Sequence, residues 1–213
     1  MFKNRKDAGI KLAGKLKEMN VVPDIVIAIP KGGLEVGYEI AQSMGCKLSV
    51  VISRKFPFPN QPESGFGAIA EDGSSYVVPG FADRISNSVL DDVTKKQMEE
   101  IKRRRSIFRA GKPFPDIKGK RVVLVDDGIA MGSTMMASIS CCKNAGPAQL
   151  IVASPVSSRT VASKLNDMAD GVLVLESPDN FRAVAQVYED WYDVSDLEAL
   201  ELLKTAKEKG IYL

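Results

Sequence analysis

Short apolar runs rich in β-branched residues alternate along the chain with segments of helical length. The runs lie at residues 25–29, 47–52, 122–125, 149–153 and 171–175. Each run is too short for a helix, so it predicts a strand buried on both faces. Segments 34–44, 135–145 and 158–167 between the runs have the length and residue types of helices. The alternation predicts an α/β fold, a doubly wound parallel sheet with helices on both faces.

Three further segments predict helices outside this repeat. Residues 5–19 carry apolar positions on one helical face. A capping box formed by Thr94 and Gln97 predicts the start of a charged helix that ends near residue 109. A second capping box, Ser195 with Glu198, predicts a final helix that ends near residue 207.

The segment before the charged helix interrupts the alternation. From residue 56 to residue 80 the chain is rich in proline and glycine, and only 67–70 and 76–78 resemble strands. A loop this long inside a compact domain is typical of a functional lid or an insert. We therefore expect a flexible loop or β insertion at residues 53–80 within a single domain that spans residues 1–213.

The composition limits the classes of function. With 213 residues and 45% hydrophobic content, the chain can bury one substantial core, and a net charge of +2 argues against a broad nucleic-acid surface. The basic run 102–105 predicts a solvated helix face, with RNA or an acidic partner as the alternative. No apolar stretch is long enough to cross a bilayer and the N-terminal segment is charged, so we expect a cytoplasmic protein.

The residue types available for chemistry are restricted, because the chain contains no histidine. This absence excludes Ser-His-Asp and Cys-His catalysis and the common zinc sites. Cys46, Cys141 and Cys142 are odd in number, which indicates reduced thiols packed in the core. Catalysis would therefore use carboxylates, Lys and Arg side chains, backbone amides and a hard metal ion.

Residues 121–134, RVVLVDDGIAMGST, combine a strand, an acidic pair and a Gly-rich turn before a helix. Unpaired N–H groups and the helix dipole at such a turn attract phosphate. Asp126 and Asp127 can accept hydrogen bonds from sugar hydroxyls and help to hold Mg²⁺. A ribose 5-phosphate matches this stretch, because its phosphate suits the turn and its hydroxyls suit the acidic pair. The alternative is an ordinary βα turn whose acids cap the helix, although capping needs only one acid.

A second loop of this kind follows the first predicted strand. Pro30, Lys31, Gly32 and Gly33 bring a cation to a helix N-terminus, which suits a second anion. A solvated lysine in a simple turn is the alternative. Ligands of parallel sheets bind beyond the carboxyl ends of the strands, so both loops and Arg54 can face one crevice.

The stretch 121–134 resembles the phosphoribosyl pyrophosphate (PRPP) signature of type I phosphoribosyltransferases, and a wider resemblance covers residues 29–203. The resemblance implies transfer of 5-phosphoribosyl from Mg-PRPP to a nitrogenous acceptor, with a nucleobase expected, and release of pyrophosphate. It also implies Mg²⁺ as cofactor and a homodimer. Asp126 and Asp127 would bind the ribose hydroxyls and the metal and act in catalysis. The 5-phosphate would be bound by Gly128, Ile129, Ala130, Met131, Gly132, Ser133 and Thr134.

The resemblance assigns roles to the other cations as well. Lys31, Gly32 and Gly33 would bind the pyrophosphate, with a non-proline cis peptide near Lys31. Arg54 and Lys55 would act as catalytic cations on a flexible loop that closes over the site.

The C-terminal segment 176–213 would form a small hood over the acceptor, followed by the final helix. Phe181 is the expected stacking residue, with Tyr188 and Trp191 behind it. The competing interpretation assigns these aromatic side chains to the core of the hood or to a dimer contact.

Met131 departs from the family pattern, which usually has Thr at this position. A thioether donates no hydrogen bond, so one phosphate contact is missing. Together with the basic run 103–105, this residue favours an alternative function, a regulatory protein that senses PRPP without turnover.

Overall fold

The structure is a computed structural model that describes residues 1–58, 61–81 and 84–213, with residues 61–63 described by their backbone alone. Five parallel strands form the central sheet. Their order across the sheet is β2 (Lys47–Val50), β1 (Ile25–Ala28), β6 (Arg121–Val125), β7 (Gln149–Val156) and β8 (Gly171–Glu176). The predicted doubly wound parallel sheet is confirmed.

Helices cover both faces of the central sheet, so the inner strands bury apolar residues on both sides. On one side, Val26, Ala28 and Val123 pack in a core with α1 (Arg5–Glu18), α2 (Gly32–Met44), α3 (Asn87–Arg109) and α6 (Asp196–Glu208). On the other side, Ile25, Ile27 and Leu124 pack in a core with α4 (Ser133–Asn144) and α5 (Arg159–Asn166). Alternate residues of a strand point to opposite faces, so every position of β1 is buried.

The segment expected to be a flexible loop or a β insertion forms a second, antiparallel sheet. Its three strands are β3 (Ser53–Phe58), β4 (Gln61–Ala70) and β5 (Ser75–Val77). Phe56 and Phe66 are buried in its core, with ring centroids 5.5 Å apart. The prediction of only two short strand pieces was therefore wrong, because these buried aromatic residues outweigh the turn-forming character of the neighbouring glycines and prolines.

The start of α3 also differs from the expectation. Ser86 is the N-cap and its side chain accepts a hydrogen bond from Val89 N at 3.4 Å, so the helix begins well before Thr94. The capping box expected at Thr94 and Gln97 lies inside the helix. The capping box of α6 is confirmed, because Ser195 and Glu198 bond reciprocally.

Three further features bear on the expectations about cysteines, the basic run and membrane spans. Cys46, Cys141 and Cys142 are buried and form no disulfide. Within the basic run, Arg103 and Arg104 both pair with Glu100 on the surface of α3. None of the helices that the structure describes combines the length and the apolar character needed to cross a membrane.

Candidate active site

The loop between β6 and α4 lines a large cavity. This cavity has a volume of about 900 Å³. One wall consists of Asp126 and all seven residues of the loop 128–134. The opposite wall comes from the antiparallel sheet and its neighbours: Lys55, Phe58, Ser64, Gly65, Gly67 and Phe81. Met135 of α4 and Val184, which belongs to a short 3₁₀ helix in the C-terminal segment, complete the lining.

The loop itself has a defined backbone geometry. Ile129 N donates to Val156 O at 2.8 Å, which ties the loop to the end of β7. Gly132 has φ of 80° and precedes the first residue of α4, Ser133. The N-terminus of α4 therefore faces the cavity, and its unpaired N–H groups and dipole favour an anion there.

Asp126 lies at the cavity wall. Its Oδ1 accepts a hydrogen bond from Asp127 N at 2.9 Å, which orients the carboxyl group. Burial and the neighbouring negative charge of Asp127 raise the pKa of Asp126 well above its usual range. A carboxyl group in this state can release a proton when a cationic ligand arrives and can accept hydrogen bonds from hydroxyl groups.

Asp127 turns toward the N-terminal helix, where Arg5 holds it. Arg5 Nε donates to Asp127 Oδ2 at 2.7 Å, and the arginine side chain is only 3% exposed. Arg5 also donates to Tyr192 O at 2.9 Å and stacks on Trp191, with 4.0 Å from Cζ to the ring centroid. Burial raises the pKa of Asp127, and the Arg5 hydrogen bond opposes that rise.

The loop after β1 packs directly against the acidic pair. A Cβ added at Gly32 would lie 1.8 Å from Asp127 Oδ2, so only glycine fits this position. A Cβ added at Gly33 would lie 2.9 Å from Asp126 Cα. The predicted non-proline cis peptide is confirmed at Pro30–Lys31. The Lys31 side chain extends to Asp196 at the start of α6, with 3.4 Å between Nζ and Oδ1.

The two cations expected on the insertion face different surroundings. Lys55 lines the cavity. Arg54, its neighbour on β3, donates from Nε to Gln97 Oε1 of α3 at 3.3 Å and is not among the described residues that line the cavity. Adjacent residues of a strand point to opposite faces, which explains the difference.

The aromatic residues of the C-terminal segment pack outside the cavity, and two of them contact Asp127 or Arg5. Phe181 packs against the cluster that contains Phe2 and Tyr188, and within the described residues the cavity lining includes Val184 but not Phe181. Tyr188 OH donates to Asp127 O at 2.6 Å, and Trp191 stacks on Arg5. These two rings therefore hold Asp127 and its partner.

Sequence reasoning missed Arg5, Val184 and the aromatic pair Phe58 and Phe81. Arg5 lies among other basic residues in a helix that predicts a solvated face, so no local signal distinguishes it. Phe58 lies in β3, which was not predicted as a strand, and Phe81 follows β5. Only the folded chain brings these residues to the end of β6.

Metal binding would depend on the acidic pair. Within the described residues, no group of three or more acidic or cysteine side chains is arranged to hold a metal ion. Mg²⁺ typically keeps several waters and is bound through one or two carboxylates together with substrate phosphates. Asp126 and Asp127 fit that mode, in which most ligands come from the substrate and from water.

A sequence profile described as the phosphoribosyl transferase domain matches residues 2–191. The chain belongs to this family. The match covers the β6–α4 loop, the loop after β1 and all the described residues that line the cavity.

Individual relatives agree with the family assignment. A protein of Mycobacterium tuberculosis strain H37Rv, provisionally named a phosphoribosyl transferase, is 35% identical over 210 residues, which are 97% of this chain and 47% of that protein. Its counterpart in strain CDC 1551 gives the same values. The chain thus spans about half the length of the curated relatives it matches.

A solved structure resembles the whole chain. The crystal structure of TT1426 from Thermus thermophilus has 34% sequence identity and a TM-score of 0.79, and the alignment covers 95% of this chain and 97% of that chain. This chain therefore shares the fold of that structure along nearly its full length.

Proposed function

We propose that the protein transfers the 5-phosphoribosyl group of Mg-PRPP to a nitrogenous acceptor and releases pyrophosphate. The observation that carries this proposal is the position of the acidic pair. Asp126 lines the cavity beside a loop suited to phosphate, while the Lys31–Gly33 loop packs against both acids. A ligand that carries a phosphate on one side of its sugar and a pyrophosphate on the other could contact the phosphate loop, the acidic pair and the Lys31–Gly33 loop in turn.

The loop 128–134 would bind the 5-phosphate through backbone N–H groups and the hydroxyls of Ser133 and Thr134. Asp126 and Asp127 would accept hydrogen bonds from the two ribose hydroxyls. Arg5 would act as a positioning residue, because it holds the Asp127 carboxylate without lining the cavity among the described residues. The sugar would thereby be fixed before reaction.

Pyrophosphate would rest on Lys31, Gly32 and Gly33, with Lys55 contributing a cation from the insertion. In the reaction the C1–O bond of PRPP breaks and its electron pair leaves with pyrophosphate. The acceptor nitrogen forms the new C1–N bond and loses its proton. The adjacent carboxylates would stabilise the positive charge that develops at the sugar.

Mg²⁺ that arrives with PRPP would be held by Asp126 and Asp127 and would neutralise charge on the pyrophosphate group. The family resemblance also supports a homodimer in the cytoplasm as part of the proposal. Sedimentation velocity of the purified protein tests the dimer.

Turnover is tested by incubating the protein with Mg-PRPP and a panel of nucleobases and amines, with pyrophosphate release as the readout. Calorimetry of PRPP binding runs in parallel. The double variant Asp126→Asn with Asp127→Asn should abolish binding, whereas Asp116→Asn, an exposed acid remote from the cavity, should not. Unchanged PRPP affinity in the double variant would refute the ribose contacts.

A second function, PRPP sensing without turnover, is favoured by Met131. Its side chain is 56% exposed at the phosphate loop and supplies no hydrogen-bond donor. Tight PRPP binding without pyrophosphate release on any acceptor would support the sensor, and release on one acceptor would exclude it.

A further inference from the structure

The part of the cavity lining that comes from the antiparallel sheet and its neighbours is mostly apolar. Phe58 and Phe81 stand at 5.1 Å between ring centroids in an edge-to-face arrangement, and Phe58 also lies 5.4 Å from Phe66. Phe66 is fully buried, so this aromatic wall is anchored in the core of the antiparallel sheet. A ligand beside the wall meets ring faces and edges.

Val184 covers the start of the phosphate loop. A Cβ added at Gly128 would lie 2.2 Å from Val184 Cγ1 and 2.7 Å from Val184 Cγ2, so the isopropyl group touches the loop backbone beside Asp126. The sugar carbon that reacts would lie near Asp126 if that acid binds the ribose. The side chain nearest to an incoming acceptor is therefore aliphatic.

The remaining part of this wall offers few polar side chains. Gly65 and Gly67 of β4 line the cavity without side chains. On this wall, Lys55 and Ser64 are the polar side chains among the residues that the structure describes. These two polar side chains offer fewer hydrogen-bond partners than the several donors and acceptors along the edge of a guanine, a hypoxanthine or a uracil require.

Desolvation makes this part of the cavity disfavour polar rings. A polar ring atom that enters an apolar site without a partner loses its hydrogen bonds to water, which disfavours binding. A ring of the same shape with fewer polar atoms avoids that loss, and apolar contact with Phe58, Phe81 and Val184 favours it.

We infer that the acceptor is an apolar fused aromatic N-heterocycle, of the benzimidazole type, rather than a purine or pyrimidine with oxo and amino groups; this inference rests on the proposed phosphoribosyl transfer. One ring nitrogen of such an acceptor gives its lone pair to C1 of the ribose. The other ring nitrogen loses its proton to solvent water, and pyrophosphate leaves with the electrons of the C1–O bond.

The sharpest probe pair is benzimidazole and purine, because the two rings have the same shape and purine replaces two C–H groups by nitrogen atoms. Hypoxanthine adds an oxo group to the purine ring. Product formation from Mg-PRPP with each compound gives kcat/KM, and titration calorimetry without PRPP gives the affinity of each ring. Benzimidazole should exceed purine by about tenfold or more in kcat/KM, and hypoxanthine by a larger factor.

A matched pair of variants tests the wall itself. Val184→Asn places an amide over Gly128, and it should lower kcat/KM for benzimidazole while reducing the preference over purine by about tenfold. Val22→Asn makes the same change at a residue that is 58% exposed and lies outside the cavity lining, and it should leave both values unchanged.

The outcomes separate the two proposals. PRPP binding and turnover with purine or hypoxanthine equal to or above benzimidazole would overturn the inference and leave the proposed function standing. Absence of PRPP binding would overturn the proposed function. The inference would fall with it, since an acceptor exists only if phosphoribosyl transfer occurs, whereas the first outcome overturns the inference alone.

Discussion

Arg5 Nε lies 2.7 Å from Asp127 Oδ2, so the first turn of α1 is ion-paired to the acidic residue that follows β6. The two side chains are only 3% and 15% exposed. When one partner of a pair that is shielded from water is removed, the other charge stays buried without a counter-charge, and the free energy of unfolding falls strongly. The N-terminal helix is thus part of the candidate site, although it supplies none of the described residues that line the cavity.

Removing this arginine should destabilise the protein strongly. Arg5→Ala leaves Asp127 without its buried counter-charge, and we expect the free energy of unfolding to fall by about 3–5 kcal/mol. Urea denaturation measures it. Arg121→Ala is the matched control, because Arg121 pairs with Asp24 where the side chains are 47% and 39% exposed, and its loss should be much smaller. Equal losses in the two variants would contradict the assignment.

The raised pKa of Asp126 predicts stability that falls with rising pH. The folded protein binds this proton more tightly than the unfolded chain, where the pKa is near 3.8. The contribution is therefore fully present below the unfolded pKa and is lost as pH rises through the folded pKa. Asp126→Asn should flatten the dependence and increase the free energy of unfolding at pH 7.

Asp24 provides a control of opposite sign for this pH series. Hydrogen bonds from Arg121 lower the pKa of Asp24 to about 2, so its contribution is present above 3.8 and is lost as pH falls through the folded value. Asp24→Asn should therefore reduce stability at pH 7. Urea titrations of both variants from pH 3 to pH 8 test the pair, and parallel curves for Asp126→Asn and the parent protein would reject the first prediction.

A hydroxyl at position 131 should strengthen PRPP binding. Met131→Thr offers the phosphate loop a hydrogen-bond donor that the thioether lacks. One such bond is worth about 0.5–1.5 kcal/mol, which corresponds to roughly a 2- to 12-fold lower Kd by calorimetry. Met19→Thr serves as the control, since Met19 is 49% exposed and lies outside the cavity lining. A Kd that does not change would mean that the side chain at position 131 makes no contact with the ligand.

A methyl group at Gly32 should displace the Asp127 carboxylate, because the added Cβ would lie 1.8 Å from Oδ2. A misplacement of about 1 Å at a reacting centre can cost about 100-fold in rate, and we expect a loss of that order in kcat/KM for Gly32→Ala. Gly14→Ala is its control. Nothing lies within 4 Å of a Cβ at Gly14, a residue inside α1, so alanine there should stabilise the helix by about 0.5–1 kcal/mol and leave kcat/KM unchanged.

Local sequence patterns predicted the strands that are buried on both faces and the helices whose capping residues lie next to them in the sequence. The strand ending at Val125 is apolar at every inward position and is followed by the acidic pair, so both were recognisable from adjacent residues. The start of α6 was recognisable because Ser195 and Glu198 satisfy each other's backbone groups. Most of the antiparallel sheet was missed, and only pieces of β4 and β5 were predicted, because Phe56 and Phe66 stabilise it only after distant helices cover them.

The amino-acid sequence alone determined the alternating α/β architecture and the order of acids, glycines and hydroxyls that follows β6, because strand periodicity and turn chemistry act over a few residues. Folding added the partners of that loop. Arg5 reaches Asp127 across 122 positions of sequence, and Val184 touches Gly128 from a segment that follows two further strands, β7 and β8. Such contacts depend on how helices and loops pack on the sheet, and no local pattern encodes that packing.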